Sequence, residues 1–269
     1  MSSMQRSCVF CPGEAKMSGE HLWSDWIGDA LGPRRYIFSQ ETAPQTIAKR
    51  WQSNSLDLTA KVVCKQCNEG WMSNLESQHA KPAMEHLIRY GSPLSLLRTG
   101  IASIAAFAFK STIIAYYMRR TGPKTLFPLA VRRRFAASLT IPDGVQMWLS
   151  SLAKREGRTT GIFQGHTFKT PHGTVNGFEL YVFTFGAGHL VIQVAVSRWT
   201  KNFLRRNSFP RITKNPYWDN LATPFWPSNG TPVLWPPPKH LSDEMIDTFC
   251  CRWRNVTVPA TPFRAIRIR

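Results

Sequence analysis

The sequence predicts an α+β protein, and three observations predict it. Two Cys-x-x-Cys turns frame the opening segment, helical periodicity fills the middle, and β-branched and aromatic runs broken by turn residues follow Pro142. At 269 residues and 43% apolar composition, the chain carries enough apolar material for a substantial core. The expected organisation is a zinc module over 1–79, a helical region over 80–140, and a β-rich region over 141–269. That last region includes a Pro- and Trp-rich wrapping segment and a final helix.

Each element has its own signal. Pro12 and Gly13 follow Cys11 and make the first cysteine pair a tight knuckle. Leu22, Trp23, Trp26, Ile27, Ala30 and Leu31 recur with a 3.6-residue period that stops at Gly32 and Pro33. Most of Glu20 to Leu31 is therefore expected to be helical, with His21 at its entrance. Thr46 to Trp51 and Leu56 to Val63 have strand character, and Gln52 to Ser55 suits a hairpin turn between them. A helix is expected to start at the second knuckle, with Trp71, Met72, Leu75 and His79 at helical spacing.

Residues 83–90 and 96–120 read as further helices, the second apolar nearly all round and therefore a buried core helix. Phe127 to Ala137 reads as a short basic helix. Antiparallel strands are expected over Val145–Leu152, Thr159–Phe168, Gly177–Phe185 and Leu190–Val196. Ser242 can cap a last helix whose apolar stripe is Met245, Ile246 and Phe249.

Charge narrows the partners. Lys plus Arg number 34 against 16 Asp plus Glu, a net +18, and such a field attracts polyanions. Nucleic acid is the expected partner, with Arg119, Arg120, Arg132, Arg133, Arg134, Arg205 and Arg206 as candidates for phosphate contact. The opening residues lack an apolar signal segment, so a cytoplasmic location is expected. Arg98 and Lys110 interrupt the most apolar stretch, which argues against a membrane partner.

Six cysteines in such a compartment favour metal ligation or buried thiols over disulfides. Cys8, Cys11, Cys64 and Cys67 supply two thiolates from each of two tight turns, the donor set of a structural zinc site. Cys250 and Cys251 are adjacent and are expected to be one buried thiol and one bystander.

At CVFC, SGEHLWSDWI and VVCKQCNEGWMSNLE, residues 7–79 resemble the HNH endonuclease superfamily, in its zinc-stapled bacterial and phage branch. The resemblance implies a ββα-metal fold and hydrolysis of phosphodiester bonds with Mg²⁺ or Mn²⁺, in DNA by preference over RNA. It implies His21 as the general base, Glu20 as a ligand of the catalytic ion, and Asn68 as the residue completing the metal site. The family's middle asparagine has no counterpart over Asp57 to Lys61, and Asn54 is the nearest candidate. Two alternatives stand beside this reading: a non-catalytic zinc-stabilised nucleic-acid-binding protein, and an interaction subunit with a protein partner.

Overall fold

A computed structural model describes residues 7–12, 16–43, 46–118, 124–153, 161–169, 179–198, 216–252, 258–262 and 265–268. It is a mixed helix-and-sheet structure with antiparallel strands throughout its named sheets.

The first strand, β1 (Met17–His21), pairs with β4 (Thr59–Cys64) as a two-stranded ribbon. The 37 residues between them form helix α1 (Asp25–Leu31) and the hairpin β2 (Tyr36–Ala43) and β3 (Thr46–Ser53). Two expectations are corrected here. Glu20 and His21 lie on a strand, because helix starts only at Asp25; the 3.6-residue apolar period continued one turn too far toward the N-terminus. β3 and β4 do not form a hairpin with each other: β3 pairs with β2, and β4 reaches back to β1. The polar stretch Gln52 to Ser55 ends one strand and leaves for another sheet, a choice that local turn chemistry does not encode.

Beyond β4 the chain runs helically through α2 (Lys65–Cys67), two wider π-type turns at Asn68–Met72 and Leu75–Ala80, and α3 (Lys81–Arg89). Gly70 takes a non-helical conformation within this stretch (φ −92°, ψ −111°). Pro82 lies in the first turn of α3, directly after the wider turn Leu75–Ala80.

The central helix is α4 (Arg98–Met118), buried continuously from Ile104 to Tyr116. Among the described residues it is the one helix long and apolar enough to cross a bilayer, and the fold encloses it. Phe107 meets Phe185, Tyr116 meets Tyr181, and Phe109 meets Phe135 of α5 (Leu129–Ser138), each edge-on with centroids 4.9–5.4 Å apart. Each such buried aromatic contributes about 1.5–3 kcal/mol of transfer free energy before edge-on pairing is added.

Among the described residues the large sheet has nine strands. Along it run β10 (Ala222–Trp226), β6 (Val145–Ser151), β9 (Leu190–Arg198), β8 (Glu179–Ala187), β7 (Gly161–Lys169), β13 (Ala265–Ile268), β2 and β3, with β12 (Val258–Pro262) also on β7. The expected C-terminal antiparallel sheet is present, and the N-terminal hairpin extends it through β13. Helix α7 (Asp243–Cys250) and the short α6 (Pro216–Asp219) cover one side, and β5 (Leu94–Leu96) pairs with β11 (Val233–Trp235) separately. Gly188 turns β8 into β9 with φ +57°; a Cβ there would lie 2.2 Å from the Ile88 carbonyl oxygen, so only glycine fits.

Candidate functional site

The four paired cysteines converge. Their sulfur atoms lie within 4.8 Å of one another, and Cys11 Sγ to Cys64 Sγ is 3.6 Å. Zn–S bonds of about 2.3 Å in a tetrahedron place sulfurs about 3.8 Å apart, so the cluster could hold a structural metal such as zinc. Cys8, Cys64 and Cys67 are buried and Cys11 is partly exposed.

The local backbone prepares the donors. The amides of Phe10 and Cys64 donate to Cys8 Sγ at 3.4 and 3.3 Å. Burial raises the Cys8 thiol, but the amides of Cys64, Phe10 and Cys11 outweigh it and hold Cys8 below the ordinary cysteine value. Burial, and next the Cys8 charge, push Cys67 far up. The first thiol thus ionises readily and the last resists, an imbalance that a bound divalent cation relieves.

The knuckles are seated by long-range contacts. Val9 N–H donates to the Val62 carbonyl at 3.0 Å, and Lys65 N–H to the Lys16 carbonyl at 2.9 Å. Phe10 packs edge-on against Trp71, which packs edge-on against Phe135, at 4.9 and 5.7 Å. Arg132 of α5 donates to the carbonyls of Val9 and Phe127, and its guanidinium lies over the Tyr117 ring. This arginine is engaged in fixing the first knuckle to the helical region, while Arg133 and Arg134 are exposed on the same helix. Arg119, Arg120, Arg205 and Arg206 lie outside the described residues.

His21 stands at the end of β1 opposite Thr59, one-third exposed. Its Nε2 is 3.3 Å from Asp57 Oδ1 and 3.6 Å from Asp25 Oδ1. One carboxylate comes from the first turn of α1, where negative charge is favoured, and the other from the segment entering β4. Sequence reasoning missed both. Asp25 lies four residues after His21, across the turn from β1 into α1; Asp57 is 36 residues away and becomes a neighbour only through β1–β4 pairing.

Glu20 faces the other way, as strand alternation requires. It is buried, and Lys110 Nζ of α4 donates to its Oε1 at 2.7 Å and also to Glu76 Oε1. Two carboxylates share one ammonium, and burial drives Glu20 above the ordinary glutamate range, with Lys110 opposing and Glu76 adding to the shift. Lys110 is raised well above the ordinary lysine value, because the attraction of Glu20 and Glu76 exceeds its own burial cost. Glu20 and His21 therefore do not share a surface. The lone lysine in an apolar helix was the signal that a buried carboxylate must exist to meet it.

Asn68 Nδ2 donates to Ser18 Oγ at 3.0 Å and to the Gly19 carbonyl at 3.2 Å, tying the start of the helical stretch to β1. Asn54 is exposed in the segment after β3, and among the described residues no hydrogen bond joins it to His21. The tryptophans of the C-terminal segment are packed inward: Trp218 and Trp235 are buried and Trp226 is half-buried. No protein-family model matches the chain, and neither a curated protein nor a solved structure matches it.

Proposed function

We propose that this protein is a zinc-stapled, metal-dependent endonuclease of HNH type, hydrolysing phosphodiester bonds, in DNA by preference. The observation that carries the reading is the setting of His21. It sits at the exposed end of a ribbon whose second strand runs into a cysteine knuckle and then a helix, with Asp57 and Asp25 closing on its ring. A proton on Nε2 donated to Asp57 leaves Nδ1 as the basic nitrogen, able to take a proton from an attacking water. Asp25 and Asp57 are exposed carboxylates, the oxygen donors that Mg²⁺ or Mn²⁺ prefers. Such an ion would supply Lewis-acid stabilisation of the charge developing on the phosphate. Asn68 fixes the strand that presents His21, and exposed lysines and arginines would position the backbone.

A second reading has its own support. Glu20, which the resemblance makes a ligand of the catalytic ion, is instead neutralised by Lys110 in the interior. That arrangement favours a zinc-stabilised nucleic-acid-binding protein without cleavage. The deciding experiment is cleavage of plasmid and single-stranded DNA with Mg²⁺ or Mn²⁺ by the wild type and by His21→Ala, with zinc content and folding verified for both. Cutting by the wild type alone supports the nuclease. Binding without cutting by either protein establishes the second reading.

A further inference from the structure

The helical middle of the chain carries charge of one sign. From residue 86 to residue 142 the sequence holds nine Lys and Arg and no Asp or Glu. Three of those cations are placed apart from the rest. Arg89 is paired with Glu85 at 2.8 Å, Lys110 is buried between Glu20 and Glu76, and Arg98 begins α4. The others all follow Met118, and four of them, Lys124 and Arg132 to Arg134, lie among the described residues.

Lys124 and Arg132 meet on one aromatic ring. The Lys124 ammonium lies 5.4 Å and the Arg132 guanidinium 4.7 Å from the centre of the Tyr117 ring. Each is held by main-chain carbonyls: Lys124 donates to Tyr117 at 2.8 Å, and Arg132 to Phe127 at 2.9 Å and to Val9. A carbonyl fixes a cation in place without cancelling its charge. Arg133 and Arg134 follow on α5, both exposed, and no ion pair among the described residues involves Arg132, Arg133 or Arg134. Successive helix positions diverge by about 100°, so the two exposed guanidinium groups can reach two phosphates rather than one. Beneath them Phe135 is fully buried, edge-on to Phe109 and Trp71 at 4.9 and 5.7 Å, which seats the helix on the core.

We infer that the outer face of α5, with Lys124 beside it, is a docking surface for the phosphate backbone of nucleic acid. Arg133 and Arg134 each contact a phosphate, and Lys124 and Arg132 hold a fixed positive field around Tyr117. This rests on the nucleic-acid reading above, whether or not the bound strand is cut. It gives that reading a surface joined to the first cysteine knuckle, since Arg132 ties α5 to Val9, between Cys8 and Cys11. Guanidinium suits this partner because its fork of donors matches phosphate oxygens. An anionic membrane is the rival polyanion, and the composition of the face disfavours it. A helix lying in a bilayer surface presents Trp, Phe and Leu to the acyl chains. Besides its two arginines, α5 exposes Leu129, Ala130, Ala137 and Ser138, and it buries Phe135.

The test compares two double variants of the full chain that remove equal charge from different places, with metal content and thermal unfolding verified for each. Arg133→Gln/Arg134→Gln strips the proposed surface. Arg98→Gln/Lys239→Gln removes two exposed cations elsewhere; Arg98 is at the opposite end of α4 from Met118, about 30 Å along the helix axis. Binding of a labelled DNA duplex is followed across a salt series without added Mg²⁺, and binding to vesicles with and without phosphatidylserine is measured in parallel. Two lost phosphate contacts lower the slope of log affinity against log salt by about 1.8 on duplex. The expected result is that loss in Arg133→Gln/Arg134→Gln, an unchanged slope in Arg98→Gln/Lys239→Gln, and retention in Arg133→Lys/Arg134→Lys, which keeps both charges. An equal fall in the two Gln pairs shows only the general field of the protein and overturns the inference. An unchanged slope in Arg133→Gln/Arg134→Gln also overturns it and leaves the nucleic-acid reading standing. Wild-type binding to phosphatidylserine vesicles but not to DNA, or to neither, overturns both.

Discussion

The β1–β4 ribbon and the nine-stranded sheet are both antiparallel, yet they are held by different physics. The sheet buries Val182, Phe183, Phe185, Ile192 and Val194, with Phe185 and Tyr181 packed on Phe107 and Tyr116 of α4. The ribbon has two strands, too few for independent stability. It is held at one end by the cysteine cluster, beneath by the Glu20–Lys110–Glu76 ion cluster, and at the Gly19 carbonyl by Asn68. The ribbon's inner face, Ala60 and Val63, joins the main core, while its outer face at His21 stays polar and exposed. A site on the sheet's interior would be dry and closed.

The largest way to break this contrast is to remove the staple. If the four cysteines hold a metal ion, its chelation, or Cys64→Ser, is expected to cost the ribbon several kcal/mol. In hydrogen exchange, amides of β1 and β4 should lose protection while those of β8 and β9 keep theirs. Equal loss in both regions would show that the ribbon and the sheet unfold as one unit.

Next comes the buried ion cluster. Lys110→Met leaves two carboxylates around an apolar side chain and is expected to destabilise by about 3–5 kcal/mol. Adding Glu20→Gln and Glu76→Gln should recover most of that in denaturant unfolding, because the cost lies in the stranded charges. Failure to recover would mean that Lys110 acts through shape alone.

A gentler probe of the same cluster is pH. Glu20 titrates above its unfolded value, so the folded state binds the proton more tightly than the unfolded chain. Its contribution to stability is present at low pH and is lost as pH rises from the unfolded glutamate value through the folded one. The slope cannot exceed about 1.4 kcal/mol per pH unit for one proton. Glu20→Gln should flatten that part of the stability profile; an identical slope in the variant would assign it to another group.

Arg132 and its neighbours sharpen the contrast further. Arg132→Ala removes hydrogen bonds to two carbonyls and the contact over Tyr117, and is expected to cost about 1–3 kcal/mol in thermal unfolding. Arg133→Ala and Arg134→Ala, at exposed positions, should stay within about 0.5 kcal/mol of the wild type. His21→Ala is expected to stay within about 1 kcal/mol of the wild type, because its partners are exposed. A larger loss would make His21 a structural residue.

Much of this was legible. Cys-x-x-Cys spacing fixes where the four thiols can go, and β-branched alternation after Pro142 yields strands at 145–151, 161–169, 179–187 and 190–198, close to where the pattern places them. The apolar run around Phe107 is helical and buried as its composition requires. β2 was missed because Tyr36 to Ala43 mixes polar and apolar residues without clean alternation, and its partner β13 comes from the far end of the chain. The triple arginine run carries one composition and two roles, since only packing against Val9 separates Arg132 from Arg133 and Arg134.

Local quantities are written in the order of residues: the chelating turns, the periodicity of α4 and of the C-terminal strands, and an excess of positive charge. Tertiary structure alone decided which strand joins β1, that Glu20 faces inward to Lys110 while His21 faces out, and that Asp57 lies beside His21. The physical reason is that strand pairing acts between residues tens of positions apart, and one change of partner or register exchanges the buried and exposed faces. Local propensity carries no term for that choice, which is set by the burial of the whole core.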